Sequence, residues 1–212
     1  MYDENMAEHY KDSHPVLIKD KHLGTFIQNF GPLWFRRKHT QDPFQALCES
    51  IIYQQLSGKA AGTILKRFVA LWPRKKFPTP DDVLKIKVEK MRGVGLSGQK
   101  SAYLKDLAAK FKDGTINPKL FKKMSDAEIT EHVVRVKGIG EWTAQMFLMF
   151  TLHRPDVLPT GDLGIQKGFQ KLFNLRKKPN PKQMEKLAKC WAGHRILACM
   201  YLWRYLDAEA DE

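Results

Sequence analysis

Chemistry in this chain is first sought where a turn bares backbone amides. In "VKGIGEWTAQ" (136–145), Gly138 and Gly140 bracket a single aliphatic residue, Ile139, between stretches of helical character. Such a turn is either a plain helix connection or a place where exposed amides touch a ligand. Glycine lets the backbone approach another group, and the helix that follows opens with unpaired N–H groups and a positive dipole end. A nucleic-acid phosphate suits that position. Lys137 adds a charge and Thr143 a hydroxyl. The stretch "MRGVGLSGQKSAYL" (91–104) repeats the Gly–aliphatic–Gly core, a weak internal echo that strengthens the phosphate reading.

Further along, Asp162 follows Pro159-Thr160-Gly161 in "RPDVLPTGDLGIQKGF" (154–169). An aspartate there commonly caps a helix, in this case one beginning near Leu163, and the helix start favours a carboxylate's charge. Lys59 and Lys100 can meet phosphate or simply face solvent.

Helices must position these groups. Asp42-Pro43 is an N-cap followed by proline at the first helical position, and Phe44, Leu47, Cys48, Ile51 and Ile52 then form one apolar face. Ser57 can cap a second helix that buries Ala61, Ile64, Leu65, Phe68 and Val69, and Thr79-Pro80 starts another. Ser125 and Glu128 have capping-box spacing, and their helix runs into the glycine turn. After the turn, Met146–Phe150 is apolar on every side, as a centrally buried helix requires. No segment alternates with period two, so strands are expected to be few or absent. "WPRKKFPTP" and "LRKKPNPKQ" read as basic loops, and "DAEADE" as a fraying end.

The chain has 212 residues, 43% hydrophobic, enough for a real core. Its formal charge of +13 favours polyanionic partners, nucleic acid before membrane. Cys48, Cys190 and Cys199 are odd in number and widely spaced. They read as small core residues, not as a disulfide frame, a zinc site or an iron–sulfur cluster. The N-terminus is too polar for a signal peptide, and no apolar run is long enough to span a bilayer. An intracellular protein is therefore expected, in the cytoplasm of a prokaryote or the nucleus of a eukaryote.

The hydrophobe-x-Gly-hydrophobe-Gly turn resembles a helix–hairpin–helix motif. Followed by an Asp in a Pro/Gly-rich loop, it resembles the helix–hairpin–helix DNA glycosylase superfamily. Within it, "SIIYQQLSGKAA", "GLSGQKSAYLKDLA", "GIGEWTAQMFL", "LPTGDLGIQKG" and "MYLWRYL" are similar, in order, to the 3-methyladenine DNA glycosylase II family in its compact form. The likeness covers roughly residues 40–206.

That resemblance implies an all-α, two-lobed fold with the active site in the cleft between lobes. Residues of about 46–154 form the hairpin-bearing lobe, about 14–45 with 155–208 the second, and 1–13 and 208–212 are tails. It implies a monomeric, monofunctional enzyme of base excision repair that binds double-stranded DNA and removes alkylated bases of the 3-methyladenine and 7-methylguanine type. Asp162 is then the catalytic carboxylate, and Trp142, Trp203, Met146 and Leu163 line the pocket for the flipped base. Gln55 and Leu56 plug the vacated stack, with Gln55 at the tip. Lys137, Gly138, Ile139, Gly140, Thr143, Ser57, Lys59, Lys100 and Arg195 contact DNA. No iron–sulfur cluster is implied, only a monovalent cation (Na+ or K+) at the carbonyls of Val134, Val136 and Ile139.

One motif departs from the family pattern. "GHRIL" keeps Arg195 but has His194 and Ile196 where an aromatic and a small hydroxyl residue are expected, which puts the substrate range in doubt. Three rival readings compete. A non-enzymatic damaged- or abasic-DNA binder needs the hairpin and wedge but not Asp162. A glycosylase/lyase needs an amine nucleophile, and lyase members of the superfamily carry Lys where this chain has Trp142. An unrelated helical DNA-binding module leaves "LPTGD" and the tryptophans without a purpose.

Overall fold

The computed structural model describes residues 12–31, 33 and 40–210, so most of the expected N-terminal tail, part of the expected 14–45 segment and residues 211–212 lie outside the described residues. Among the described residues there are helices and turns and no strands. The chain divides into two compact units. One takes Met1–Lys38 with Leu148–Glu212, and the other takes His39–Phe147. The helix Glu141–Phe150 carries the chain from the second unit into the first.

In the His39–Phe147 unit, local capping sets the helix starts. Asp42 accepts from the Gln45 amide to begin Pro43–Tyr53, and Ser57 accepts from Ala60 to begin Gly58–Val69. Thr79 with Asp82, and Ser125 with Glu128, complete reciprocal capping boxes. The helix Gly98–Lys112 is the centrepiece, packed by Pro43–Tyr53, Pro80–Lys85 and Val88–Gly93. This packing keeps all of Pro43–Tyr53 with the hairpin unit, so the unit begins before residue 46. Leu47, Ile51, Ile52, Leu104 and Leu107 are fully buried there, and Phe44 meets Phe77 and Phe111 edge-on. Burying each such side chain contributes roughly 1.5–3 kcal/mol.

The other unit is built on the helix Arg195–Ala210, which packs against Leu163–Leu172 and Leu23–Phe30. That helix continues through the segment expected to fray, as far as Ala210. A cluster of Phe169, Phe173 and Trp191 closes one part of its core, and Phe26, Phe30 and Tyr205 another. Gly168 is required by this packing, because a Cβ there would sit 2.8 Å from that of Leu202.

Cys48 and Cys199 are buried, as small apolar residues should be. Cys190 is not: it is exposed on a short 3-10 turn, its thiol 3.3 Å from Asp20 Oδ2. The helix Pro181–Leu187 ends before Cys190, so helical spacing did not carry it into the core.

Candidate functional site

The hairpin unit presents its glycine turn after the helix Asp126–Val134. The Ile139 amide donates to the Val136 carbonyl at 3.0 Å, and the Ile139 side chain is buried. Gly138 has φ +82°, and a Cβ on it would overlap the Tyr103 ring. The fold itself demands that glycine. Gly140 is different. A Cβ there meets nothing within 4 Å, so neither packing nor backbone angle requires its bareness. Asp106 fixes the turn from below by accepting from the Lys137 amide at 2.8 Å. Burial alone pushes the Asp106 carboxyl up, but Lys110 and the Lys137 amide hold it below its ordinary value.

Beyond the turn, Trp142 is 50% exposed at the start of Glu141–Phe150, with Met146 one turn on along the same face. An indole left this open at the edge of a glycine turn is unusual for a core residue. Thr143, expected to offer its hydroxyl, is only 7% exposed and faces the interior. The second glycine turn is not a conformational copy of the first. There the positive φ, +105°, belongs to Gly95, the second glycine, and its helix starts at Gly98 behind a Ser97 cap.

The segment after Pro43–Tyr53 breaks sharply. Gln54 is extended with ψ 133°, Gln55 has φ 55°, and the Leu56 amide donates back to the Tyr53 carbonyl at 3.4 Å. These angles describe a type II turn with glutamine where glycine is the usual residue. Gln55 and Leu56 are exposed, Leu56 by 40%, where a plain turn would bury the leucine. Lys59 is exposed in the first turn of the next helix, while the Ser57 hydroxyl accepts from the Ala60 amide. Lys100 stands apart from the phosphate role expected of it. Its ammonium is half-buried and donates to the Ile52 and Gln54 carbonyls, each at 2.7 Å.

In the other unit, Asp162 is the N-cap of Leu163–Leu172. A tight turn delivers it, with the Thr160 amide donating to Leu158 and the Asp162 amide to Pro159. Its Oδ1 accepts from the Ile165 amide at 2.7 Å and from the Trp203 indole N–H at 3.0 Å. Leu163, next in the chain, is 62% exposed, so the helix start is open to solvent. Gly164 makes room for the indole: a Cβ there would lie 2.9 Å from Trp203 Cδ1 and 3.1 Å from Asp162 Oδ1. Phe150 flanks the same ring at 6.1 Å between centroids.

The helix that carries Trp203 also braces the loop leading to Asp162. The Ile196 amide donates to the Pro155 carbonyl at 3.2 Å, and the Arg195 guanidinium pairs with Asp156 at 3.3 Å. Arg195, expected at DNA, therefore makes an internal ion pair and is largely buried. His194 Nδ1 meets the Ser13 hydroxyl at 2.9 Å, and buried Ile196 lies in the core. Of the two departures in "GHRIL", the His194 side chain is thus tied to Ser13 and the Ile196 side chain is packed inside, while the loop is held by Arg195 and by the Ile196 backbone. Burial, with Asp162 next in weight, raises the Cys199 thiol far above its ordinary value, which makes it inert packing.

A match to the HhH-GPD superfamily of base excision DNA repair proteins runs over residues 48–193. The chain belongs to that superfamily. It is 35% identical to DNA-3-methyladenine glycosylase 1 of Schizosaccharomyces pombe over 87% of this chain and 80% of the relative. Among solved structures it resembles a DNA-3-methyladenine glycosidase from Bacillus halodurans, with TM-score 0.81, 32% identity, and 93% and 89% of the two chains covered. A Schizosaccharomyces pombe 3-methyladenine DNA glycosylase in complex with abasic DNA gives TM-score 0.79 at 32% identity, covering 91% and 95%. The all-helical fold expected from the sequence is the fold of these superfamily members.

No local sequence signal marks the Asp106–Lys137 bond or a bond from Gln54 Nε2 to the Gly138 carbonyl at 2.7 Å, and little marks the Trp203–Asp162 bond. Gly164, a glycine in the first turn of a helix, is the local sign of the Trp203–Asp162 bond.

Proposed function

We propose that this protein is a monofunctional DNA glycosylase of base excision repair, acting as a monomer on alkylated bases flipped from duplex DNA. The observation that carries the reading is the geometry of Asp162: a carboxylate at an open helix start, oriented by one backbone amide and one indole N–H. Its relatives' shared activity supports the substrate class.

Breaking the bond between base and deoxyribose develops positive charge on C1′ and the ring oxygen. A fixed anion beside the sugar lowers that barrier, each 1.36 kcal/mol being about tenfold in rate. Asp162 supplies the anion and orients or deprotonates the attacking water. Glycosidases in general use a second carboxylic acid to protonate the leaving group. An alkylated purine already carries positive charge and departs readily, so one carboxylate suffices. The base must first leave the stack. Trp142 and Met146 in one unit, and Trp203 and Leu163 in the other, are assigned to the walls that receive it, since electron-rich rings attract a cationic base. Gln55 and Leu56 fill the gap in the duplex, as wedge side chains do.

The hairpin binds backbone phosphate through its amides, with Lys137 and Lys59 nearby in charge. A monovalent cation there would be held by the carbonyls of Val134, Val136 and Ile139. The local backbone suits one: Val134 is the last residue of its helix, where carbonyls lack intrahelical donors, and the Val136 carbonyl, which accepts from the Ile139 amide, keeps a second lone pair. Such an ion supplies positive charge for a phosphate.

The test is release of free bases from alkylated duplex DNA, with products identified. Release of 3-methyladenine or 7-methylguanine supports the reading, and borohydride should trap no protein–DNA adduct because no imine forms. Duplex binding with no base released would replace the enzyme by a damage binder. A trapped adduct would make it a lyase.

A further inference from the structure

We propose that Lys100 and Gln54 are positioning residues that hold Gln55 in its wedge conformation and tie it to the DNA-binding hairpin. The inference rests on the glycosylase reading above and extends it to residues that act through Gln55.

Gln55 lies in the left-handed region at φ 55°, at the turn position that glycine normally occupies. A non-glycine residue there is strained and persists only when its surroundings impose it. Two side chains do so. The Lys100 ammonium grips the Ile52 and Gln54 carbonyls at 2.7 Å each, one on either side of Tyr53. These are carbonyls at the end of Pro43–Tyr53, where a helix has no internal donors and its dipole favours a cation. Lys100 itself sits in the first turn of Gly98–Lys112, an unfavourable place for positive charge. Burial lowers its pKa, a further sign that the ammonium has left bulk water for this contact.

Gln54 makes the second tie. Its Nε2 donates to the Gly138 carbonyl at 2.7 Å, across 84 residues of sequence. The residue before the wedge tip is thereby bonded to the glycine that shapes the hairpin. Gripping a phosphate at the hairpin and presenting Gln55 to the stack become one rigid arrangement. Preorganisation of this kind reduces the ordering cost of inserting a side chain.

The experiment uses Lys100→Met, Lys100→Arg, Gln54→Ala, Gln55→Ala and the double variant Lys100→Met/Gln55→Ala in the full chain. Single-turnover release of 7-methylguanine is measured from paired duplex and from the same lesion in an unpaired bubble, where unstacking is already done. Hydrogen exchange of amides 53–58 is followed in the free protein. Lys100→Met and Gln54→Ala should accelerate that exchange and slow release from paired duplex about tenfold, with less than threefold loss on the bubble. Lys100→Arg should recover most of the activity. The double variant should lose no more than Gln55→Ala, because both act through one side chain.

Faster exchange without a paired-selective loss, while Gln55→Ala shows one, would overturn the positioning role alone. Unchanged exchange would overturn it as well. No paired-selective loss in Gln55→Ala would remove the wedge, and the proposal with it. A wild type that releases no base would defeat the glycosylase reading itself.

Discussion

Gly164→Ala places a single methyl group between the helix that Asp162 caps and the indole that orients it. The new Cβ would lie 2.9 Å from Trp203 Cδ1, 3.0 Å from its Nε1 and 3.1 Å from Asp162 Oδ1. Ordinary carbon contacts begin at about 3.5 Å, so the ring must retreat by roughly 0.6 Å. The Trp203–Asp162 bond, now 3.0 Å, then reaches a length at which it no longer counts as a hydrogen bond. A hydrogen bond to a charged group contributes about 1.5–3 kcal/mol. If that orientation acts mainly in the transition state, single-turnover base release falls about tenfold to a hundredfold. Alanine also improves the helix by about 1 kcal/mol, which offsets part of the crowding. Melting temperature should therefore move by only a few degrees while the rate drops. Trp203→Phe, which keeps an aromatic ring but deletes the donor, should lose a similar factor. A wild-type rate in both variants would show that Asp162 needs no help from the indole.

Gly140→Ala should leave stability unchanged, since a Cβ there meets nothing, yet weaken duplex binding if phosphate approaches that face; equal affinity by fluorescence titration removes Gly140 from the interface. Gly138→Ala should instead destabilise the protein by thermal melt, because positive φ and the Tyr103 ring both oppose a side chain. The Lys75 ammonium, with the Thr79 amide and hydroxyl, holds the Asp82 carboxyl down at about 2, below its ordinary 3.8. A depressed carboxyl stabilises the fold above its unfolded value and loses that contribution as pH falls through the folded one. The stability gap between wild type and Asp82→Asn should accordingly shrink from pH 3.8 toward about 2 in urea titrations, and a constant gap would contradict the assignment.

Much of the fold was legible because its signals are local. Asp42-Pro43, Thr79-Pro80 and Ser125 with Glu128 announce helix starts within four residues, and each one starts the helix expected. Asp162 could be read as a cap for the same reason. Contacts made over long separations were not legible. Lys100 has the look of a phosphate ligand, but the carbonyls it binds lie 46 and 48 residues away, and nothing in the intervening sequence marks them. Arg195 was likewise turned inward by Asp156, 39 residues upstream. The echo between the two glycine turns failed for a subtler reason. Identical Gly–aliphatic–Gly spacing allows the positive φ at either glycine, and tertiary packing against Tyr103 or Ile64 decides which.

The central claim is that the charge of Asp162 drives base release, and the most direct measurement is single-turnover excision by Asp162→Asn. Asparagine keeps the size and the capping ability of aspartate, so the helix Leu163–Leu172 should stay intact. Excision of alkylated duplex DNA should fall at least about a hundredfold, the scale of removing one well-placed electrostatic stabiliser. Binding to DNA with an abasic-site analogue should survive, since the hairpin and wedge are untouched. Full excision by Asp162→Asn would show that the residue is only a helix cap, and would contradict the mechanism.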